Sequence, residues 1–114
     1  MNVFKFGGAS VKDAEAVKNV LSILHLFRGQ KLGIVISAMG KTTNAMELIV
    51  EALWAREKEV FAEIVEESRR YHLAIMSDLF PDANAGIYAD INTEFDQLLA
   101  KFNEPVTDNF DFEY

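Results

Sequence analysis

The chain has 114 residues, of which 50% are hydrophobic and 25% are charged, and its formal net charge at pH 7 is −7. This length allows one domain at most, and the absence of cysteine excludes disulfides and thiolate metal sites. The negative charge argues against nucleic-acid binding, and no apolar stretch is long enough to span a bilayer.

The first predicted element is a strand over residues 3–6, which carries Lys5 into two consecutive glycines, Gly7 and Gly8. Adjacent glycines let the backbone approach a ligand closely and adopt a positive φ. A polar residue then opens an amphipathic helix, whose first N–H groups are unpaired and lie at the positive end of its dipole. The junction therefore predicts a phosphate cradle beside one positive charge, although an ordinary tight turn has the same residues. The apolar positions at helical spacing are Val17, Val20, Leu21 and Leu24.

The second predicted element is a buried strand over residues 31–37, which is rich in β-branched side chains and has no charge after Lys31. It continues into a polar loop, residues 38–44, and then into another amphipathic helix. A strand–helix–strand order with a right-handed crossover makes the two strands parallel neighbours. The glycine pair and the polar loop then lie at the same carboxyl edge of the sheet, where open α/β sheets bind ligands.

The chain after the second loop is predicted to be helical in three segments. A charged block at residues 56–59 separates the first two helices, and the second helix ends near Leu79, before a proline. A third helix is predicted from Ala83 to Phe102, and residues 106–114 are expected to form a loop or an unpaired strand with solvated acidic side chains. The apolar side chains expected to face inward are Ala45, Leu48, Ile49, Ala52, Leu53, Val60, Phe61, Ile64 and Val65, followed by Ile87, Ile91, Phe95, Leu98 and Leu99.

Two motifs in register resemble a known family. Lys-Phe-Gly-Gly-Ala-Ser-Val at 5–11 resembles the N-terminal signature of aspartate kinases in the amino-acid kinase superfamily, and Ile-Ser-Ala-Met-Gly-Lys-Thr-Thr-Asn at 36–44 is similar to the second motif of that family. Ala9 departs from the usual Thr or Ser, which removes a hydroxyl but leaves the backbone donors. The resemblance implies an α/β fold, the N-terminal part of a three-layer αβα domain, with two parallel strands (about 2–6 and 31–37) and a mostly helical remainder.

The resemblance also implies an activity, the ATP-dependent phosphorylation of the L-aspartate side-chain carboxylate to 4-phospho-L-aspartate, toward lysine, threonine and methionine. Lys5 would be the catalytic residue and would neutralise charge on the transferring phosphoryl group. The ATP-binding residues would be Lys5, Phe6, Gly7, Gly8 and Ser37, and the aspartate-binding residues would be Ser37 and Thr43. Mg²⁺ would bridge the phosphates, with no protein ligand identified in this sequence.

The family's catalytic domain is much longer than this chain, and a Gly-Glu motif that binds aspartate is expected beyond residue 114. Residues 1–114 are therefore expected to be a partial amino-acid kinase domain that is inactive alone. Two parallel strands leave both outer edges with unpaired backbone groups, so a homo-oligomer is expected. The N-terminus lacks the pattern of a signal peptide, and the expected location is the cytoplasm, with no membrane or nucleic-acid partner.

Two other functions remain open at this stage. Gly40-Lys41-Thr42 matches the end of the Walker A pattern of P-loop NTPases. However, Val35 occupies the position of the first Walker glycine, and no later apolar run ends in Asp as a Walker B motif requires. The chain could instead be a non-catalytic helical interaction module in which the glycine pair is only a turn. That interpretation leaves the two polar loops at one sheet edge as a coincidence.

Overall fold

The computed structural model describes residues 1–82 and 84–104. The chain divides into two compact units, Met1–Thr43 and Asn44–Tyr114. Ala83, where the sequence places the start of the third helix, and the segment 106–114, predicted as a loop or strand, lie outside the described residues.

The first unit contains a two-stranded parallel sheet. Strand β1 spans Asn2–Phe6, helix α1 spans Ala14–His25, and strand β2 spans Leu32–Ile36. The register places Lys5 opposite Val35 and Phe6 opposite Ile36. The predicted pair of parallel strands is confirmed, and β2 is one residue shorter at each end than the sequence indicates.

Alternation along β1 builds the core of the first unit. Phe4 and Phe6 are two residues apart and so share one face of the sheet, and Phe6 is buried with Val11 and Val20. The Phe4 ring also contacts the ring of Phe27, with 4.8 Å between the centroids. The apolar stripe of α1 packs against these phenylalanines and covers this face of the sheet. The partly buried side chains around this core are Phe4, Val17, Ile23, Leu24 and Met39.

Strand β2 is not buried, contrary to the prediction from its sequence. Ile34, Val35 and Ile36 are 45%, 51% and 57% exposed. The apolar run is typical of a strand covered on both faces, but the described sheet contains only β1 and β2, so β2 has a strand neighbour on one side. Val3, on β1, is also exposed. The sheet of the first unit therefore presents apolar side chains to solvent.

The second unit is helical. Helix α2 begins at Thr42 in the first unit and runs to Trp54, α3 spans Lys58–Leu79, and α4 spans Gly86–Ala100 and is followed by a short 3-10 helix, Lys101–Asn103. The predicted break between the first two helices and the end of the second at Leu79 are confirmed. Helix α4 is shorter than the predicted segment from Ala83 to Phe102.

The break between α2 and α3 has an arginine in the left-handed conformation, Arg56 with φ 57°. The N–H of Glu57 donates to the Ala52 carbonyl at 3.0 Å, and the N–H of Arg56 donates to the Leu53 carbonyl at 3.2 Å. This pair of bonds is a Schellman motif, in which glycine is the usual residue at the left-handed position. The Arg56 guanidinium stabilises the exception, because it donates to the Phe102 carbonyl at 2.8 Å and lies 4.0 Å from the centroid of the Phe102 ring.

The core of the second unit confirms most of the predicted inward positions. The buried residues are Ile49, Ala52, Leu53, Phe61, Val65 and Phe95, and the side chains packed on them are Met46, Ile64, Ile91, Leu98, Leu99 and Phe102. Three predicted inward residues, Leu48, Val60 and Ile87, are exposed instead. They lie at the margins of the apolar stripes, and a helix buries only the centre of a stripe when it packs on few neighbours. Leu21 of α1 is exposed for the same reason.

Arg69 joins α3 to α4. Its guanidinium donates to the Asn92 side-chain oxygen at 3.0 Å and to the Asp96 carboxylate at 2.7 Å. Its Nε lies 3.2 Å from the carboxylate of Glu66. The Arg69 side chain is only 13% exposed, so these partners replace water around a largely buried charge.

None of the helices in the described residues combines the length and the apolar character that a membrane-spanning helix requires.

We predict that Arg69→Met lowers the free energy of unfolding by about 1–2 kcal/mol, because it removes two hydrogen bonds to a charged group while keeping most of the apolar stem. Arg70→Met is the matched control, since Arg70 is the next residue, carries the same charge and is exposed. Its effect should stay within about 0.5 kcal/mol. Urea unfolding followed by circular dichroism measures both, and equal losses would show that Arg69 acts only through its charge.

Candidate functional site

The two polar loops meet at the carboxyl edge of the sheet, as the sequence predicts. The N–H of Ser37 donates to the carbonyl of Phe6 at 2.9 Å, which extends the strand pairing past β2. One step further, the N–H of Gly40 donates to the carbonyl of Gly8 at 3.0 Å. The loop after β1 and the loop after β2 are therefore tied to each other by backbone hydrogen bonds.

The two glycines of the first loop have different roles. A Cβ on Gly8 would lie 2.5 Å from the carbonyl oxygen of Gly40 and 3.1 Å from that of Ala38. Gly8 is thus required for the close approach of the two loops. A Cβ on Gly7 would meet nothing within 4 Å, and Gly7 has an extended backbone with φ −75° and ψ 175° that any residue adopts. The space beside Gly7 is open to a ligand.

The segment after the glycines is a short 3-10 helix, Gly8–Val11. The N–H of Ser10 donates to the Gly7 carbonyl at 3.0 Å. In the described part of the chain, the amides of Gly8 and Ala9 donate no hydrogen bond to the protein, and Ala9 is exposed. Since backbone N–H groups require an acceptor, these two amides are available to water or to an anion.

Helix α1 does not begin directly after the glycines, contrary to the prediction from the sequence. Its first turn is therefore not adjacent to the glycine pair. Helix α1 begins at Ala14, and its N-cap is Asp13. The Asp13 carboxylate accepts a hydrogen bond from the Ala16 N–H at 2.8 Å. An acidic N-cap of this kind already neutralises the positive end of the helix. The candidate donors are therefore the loop amides.

Lys5 is the positive charge at this edge. It lies on β1, one residue before Phe6, which ends the strand, and its side chain is exposed. Alternation along the strand puts it on the face of the sheet opposite to Phe4 and Phe6. No ion pair or hydrogen bond of the Lys5 side chain occurs among residues 1–82 and 84–104. It is therefore a cation without a protein partner in that part of the molecule.

The structure brings Phe6 and Ser37 together and places Thr43 a few residues along the chain. Phe6 is 8% exposed and its side chain lies in the core, while its carbonyl accepts the hydrogen bond from the Ser37 N–H. Ser37 is half-buried, and its hydroxyl makes no hydrogen bond in the described residues. Thr43 lies exposed in the first turn of α2.

The loop after β2 does not have the form of a P-loop. Val35, where a Walker A motif requires its first glycine, is inside β2. The Thr42 hydroxyl, which would bind Mg²⁺ in a P-loop, instead donates to the Met39 carbonyl at 2.6 Å, and the Thr42 N–H donates to the same oxygen at 3.0 Å. Gly40 adopts a left-handed φ of 55°, which turns the chain between β2 and α2.

Two roles were not predicted from the sequence, that of Gly40 in joining the two loops and that of Asp13 as the N-cap of α1. Gly40 is the partner of Gly8, and a glycine at a strand–helix turn is the signal that could have indicated it. The positive net charge of the first unit was not predicted either. Met1–Thr43 contains six basic and two acidic residues, a net charge of +4 within a chain of net charge −7. A positive unit favours an anionic ligand.

Comparison with known proteins agrees with this geometry. Residues 1–110 match the model of the amino acid kinase family. Among curated proteins, the chain is 40% identical over 77 residues to chloroplastic aspartokinase 1 of Arabidopsis thaliana, a match that covers 68% of this chain and 12% of that protein. Chloroplastic aspartokinases 2 and 3 of the same plant are 38% and 35% identical over 77 residues, with 68% of this chain and 13% of each relative covered.

The matched part thus spans about an eighth of the length of these curated relatives. The family match covers nearly all of the chain, and the structure has the two parallel strands and the helical remainder expected of the N-terminal part of that α/β fold. From its sequence and its architecture, this chain belongs to the amino acid kinase family.

Proposed function

We propose that this chain is the phosphate-binding part of an aspartate kinase, which transfers the γ-phosphoryl group of ATP to the side-chain carboxylate of L-aspartate in the biosynthesis of lysine, threonine and methionine. The main support is the edge where Gly8 and Gly40 join the two loops, because two amides and a lysine that have no partner in the described part of the chain lie there. The aspartokinase names of the similar curated proteins support the choice of substrate.

The chemistry needs no general base. The side chain of aspartate has a pKa of about 4 and is ionised at neutral pH, so the nucleophile is ready. The barrier lies in bringing this anion to the anionic γ-phosphate, and catalysis comes from positioning and charge neutralisation. Lys5 supplies the charge, and the amides of Gly8 and Ala9 supply donors to phosphate oxygens. Ser37 and Thr43 are proposed to bind aspartate through their hydroxyl groups.

ATP fits the residues at this edge better than Mg²⁺ does. The open space beside Gly7 and the free amides of Gly8 and Ala9 suit phosphate oxygens. In the described residues, no group of three or more His, Asp or Glu side chains could hold a metal ion. Mg²⁺ is therefore proposed to be held by the phosphates and water, as is common for this ion.

The site for the rest of the nucleotide and the further contacts to aspartate, beyond those of Ser37 and Thr43, are proposed to lie in other parts of a longer protein, since the curated relatives are about eight times as long as the matched segment. Residues 1–114 would then be part of one amino-acid kinase domain. We propose a cytoplasmic location, whereas the names of the plant relatives assign those proteins to the chloroplast.

The family match gives no support to the P-loop function, and the hydrogen bonds of Thr42 argue against it. It also leaves the non-catalytic helical module without support, because the match includes both loops.

We predict that the isolated chain shows no aspartate-dependent turnover of ATP, because the site for the rest of the nucleotide and the further contacts to aspartate are proposed to lie outside it. An assay that couples ADP formation to NADH oxidation, with and without L-aspartate, measures this. Turnover that requires aspartate and disappears in Lys5→Met would contradict the inactivity of the chain and support the assigned reaction.

Self-association is the expected consequence of the exposed sheet. The apolar side chains of β2 and its outer edge, which has no strand partner in the described residues, favour pairing with a second copy. We predict a concentration-dependent sedimentation coefficient in analytical ultracentrifugation. A folded species that remains monomeric at all concentrations would contradict the homo-oligomer.

The phosphate site is tested with Lys5→Met. We expect the wild-type chain to bind pyrophosphate weakly and Lys5→Met to lose this binding, because the variant removes the charge but keeps most of the apolar stem. Lys31→Met is the matched control, since Lys31 is also exposed but precedes β2, at the opposite end of the strand. Isothermal titration calorimetry at about 0.15 M salt limits non-specific attraction. Equal losses in both variants would contradict a specific site.

The two glycines provide a second test. We expect Gly8→Ala to destabilise the chain by about 1–3 kcal/mol, because its Cβ would overlap the backbone of the Gly40 loop. Gly7→Ala should be neutral or stabilising by up to about 1 kcal/mol, yet weaken pyrophosphate binding by about tenfold, because the added methyl group would occupy the open space beside Gly7 and hold a phosphate oxygen away from one loop amide. Urea unfolding and calorimetry measure the two effects. Unchanged binding in Gly7→Ala would show that the ligand does not approach Gly7.

A further inference from the structure

Lys41 is an exposed lysine on the loop that is tied to the phosphate edge. The sequence analysis gave it no role outside the P-loop alternative, which the structure does not support. We propose that Lys41 makes a second cationic contact to the phosphates, and that this contact selects a ligand with a pyrophosphate linkage over a single phosphate. The inference rests on the proposed function and adds a specificity-determining residue to the same site.

The backbone on both sides of Lys41 is fixed. Gly40, which precedes it, donates its N–H to the Gly8 carbonyl at 3.0 Å. Thr42, which follows it, is buried and is bound twice to the Met39 carbonyl, through its N–H and its hydroxyl. Lys41 is thus held at a defined place in the turn although its side chain is exposed.

The same hydrogen bond brings Lys41 close to the free amides. The N–H of Gly8 has no acceptor in the described residues, and Gly40 contacts Gly8 directly. The Cα atom of Lys41 is about 3.8 Å further along the chain, across a trans peptide. A lysine has a flexible four-carbon stem, which spans this separation. Lys5 is on the other strand, so the amides have a lysine on each of the two joined segments.

Nothing in the described residues competes for the charge of Lys41. No ion pair or hydrogen bond of its side chain is present there. The first unit has only two acidic residues, Asp13 and Glu15, and the carboxylate of Asp13 caps α1. An unpaired lysine in a unit of net charge +4 attracts an anion more than a neutral molecule.

Two lysines favour a ligand that has charge at two adjacent positions. A single phosphate that sits on the Gly8 and Ala9 amides beside Lys5 satisfies one lysine. A pyrophosphate linkage places a second charged group next to the first, where Lys41 can bind it. Lys41 should therefore contribute more to the affinity for pyrophosphate than to the affinity for phosphate, whereas Lys5 should contribute to both.

The test compares pyrophosphate and inorganic phosphate as probes of the full 114-residue chain, by isothermal titration calorimetry at about 0.15 M salt. We expect Lys41→Met to weaken pyrophosphate binding by about tenfold, as for one hydrogen bond to a charged group, and phosphate binding by much less. Lys41→Arg should retain the wild-type preference for pyrophosphate because it keeps the charge. Lys31→Met, with the same change of charge at the opposite end of β2, should leave both affinities as they are.

Each other outcome overturns the inference. If Lys41→Met and Lys31→Met weaken binding equally, the effect is general attraction to a positive unit. If Lys41→Met has no effect while Lys5→Met abolishes binding, Lys41 has no role and the proposed function stands. If the wild-type chain binds neither probe, the proposed function fails as well. Thermal unfolding of each variant checks its fold, and Lys41→Gln replaces Lys41→Met if the latter unfolds at a lower temperature than the wild-type chain.

Discussion

The hydrogen bond between the Gly40 N–H and the Gly8 carbonyl determines the geometry of this edge. The hydrogen bonds of the strand pair end with the one from the Ser37 N–H to the Phe6 carbonyl, and without a further contact the two polar loops would be free to separate. The bond at 3.0 Å keeps them together, and it requires a glycine at position 8 because any Cβ there would overlap the facing backbone. Among residues 1–82 and 84–104, the amides and lysines without a protein partner and the open space beside Gly7 are held at one edge of the sheet by this contact.

The division of labour between the two glycines follows from the same geometry. Gly8 is needed for the close contact of the two backbone segments, whereas Gly7 leaves space beside the backbone for a ligand. A pair of glycines in a loop is often explained as flexibility, but neither Gly7 nor Gly8 has a positive φ in this structure, whereas Gly40 does. Space, rather than unusual dihedral angles, is what the pair provides.

The sequence predicted the two parallel strands, the common edge, the break between α2 and α3 and the end of α3 at Leu79, because these depend on local periodicity, a charged block and glycine or proline positions. It did not predict the exposure of β2, since an apolar run indicates what a strand would bury and not whether a neighbour is present to bury it. The helix cap at Asp13 was also missed. Its signal, an acidic residue just before an apolar periodic stretch, was hidden by the expectation that α1 begins at the glycines.

The outer side of β2, which has no strand neighbour among residues 1–82 and 84–104, has a consequence for the lifetime of the folded chain. Exposed strand edges promote association between chains, and a chain that aggregates while it is unfolded does not return to the native state. The lifetime of the native state in a warm solution would then shorten as the solution becomes more concentrated. The stability of this protein would be described better by the half-life of its native state at a stated protein concentration than by a melting temperature.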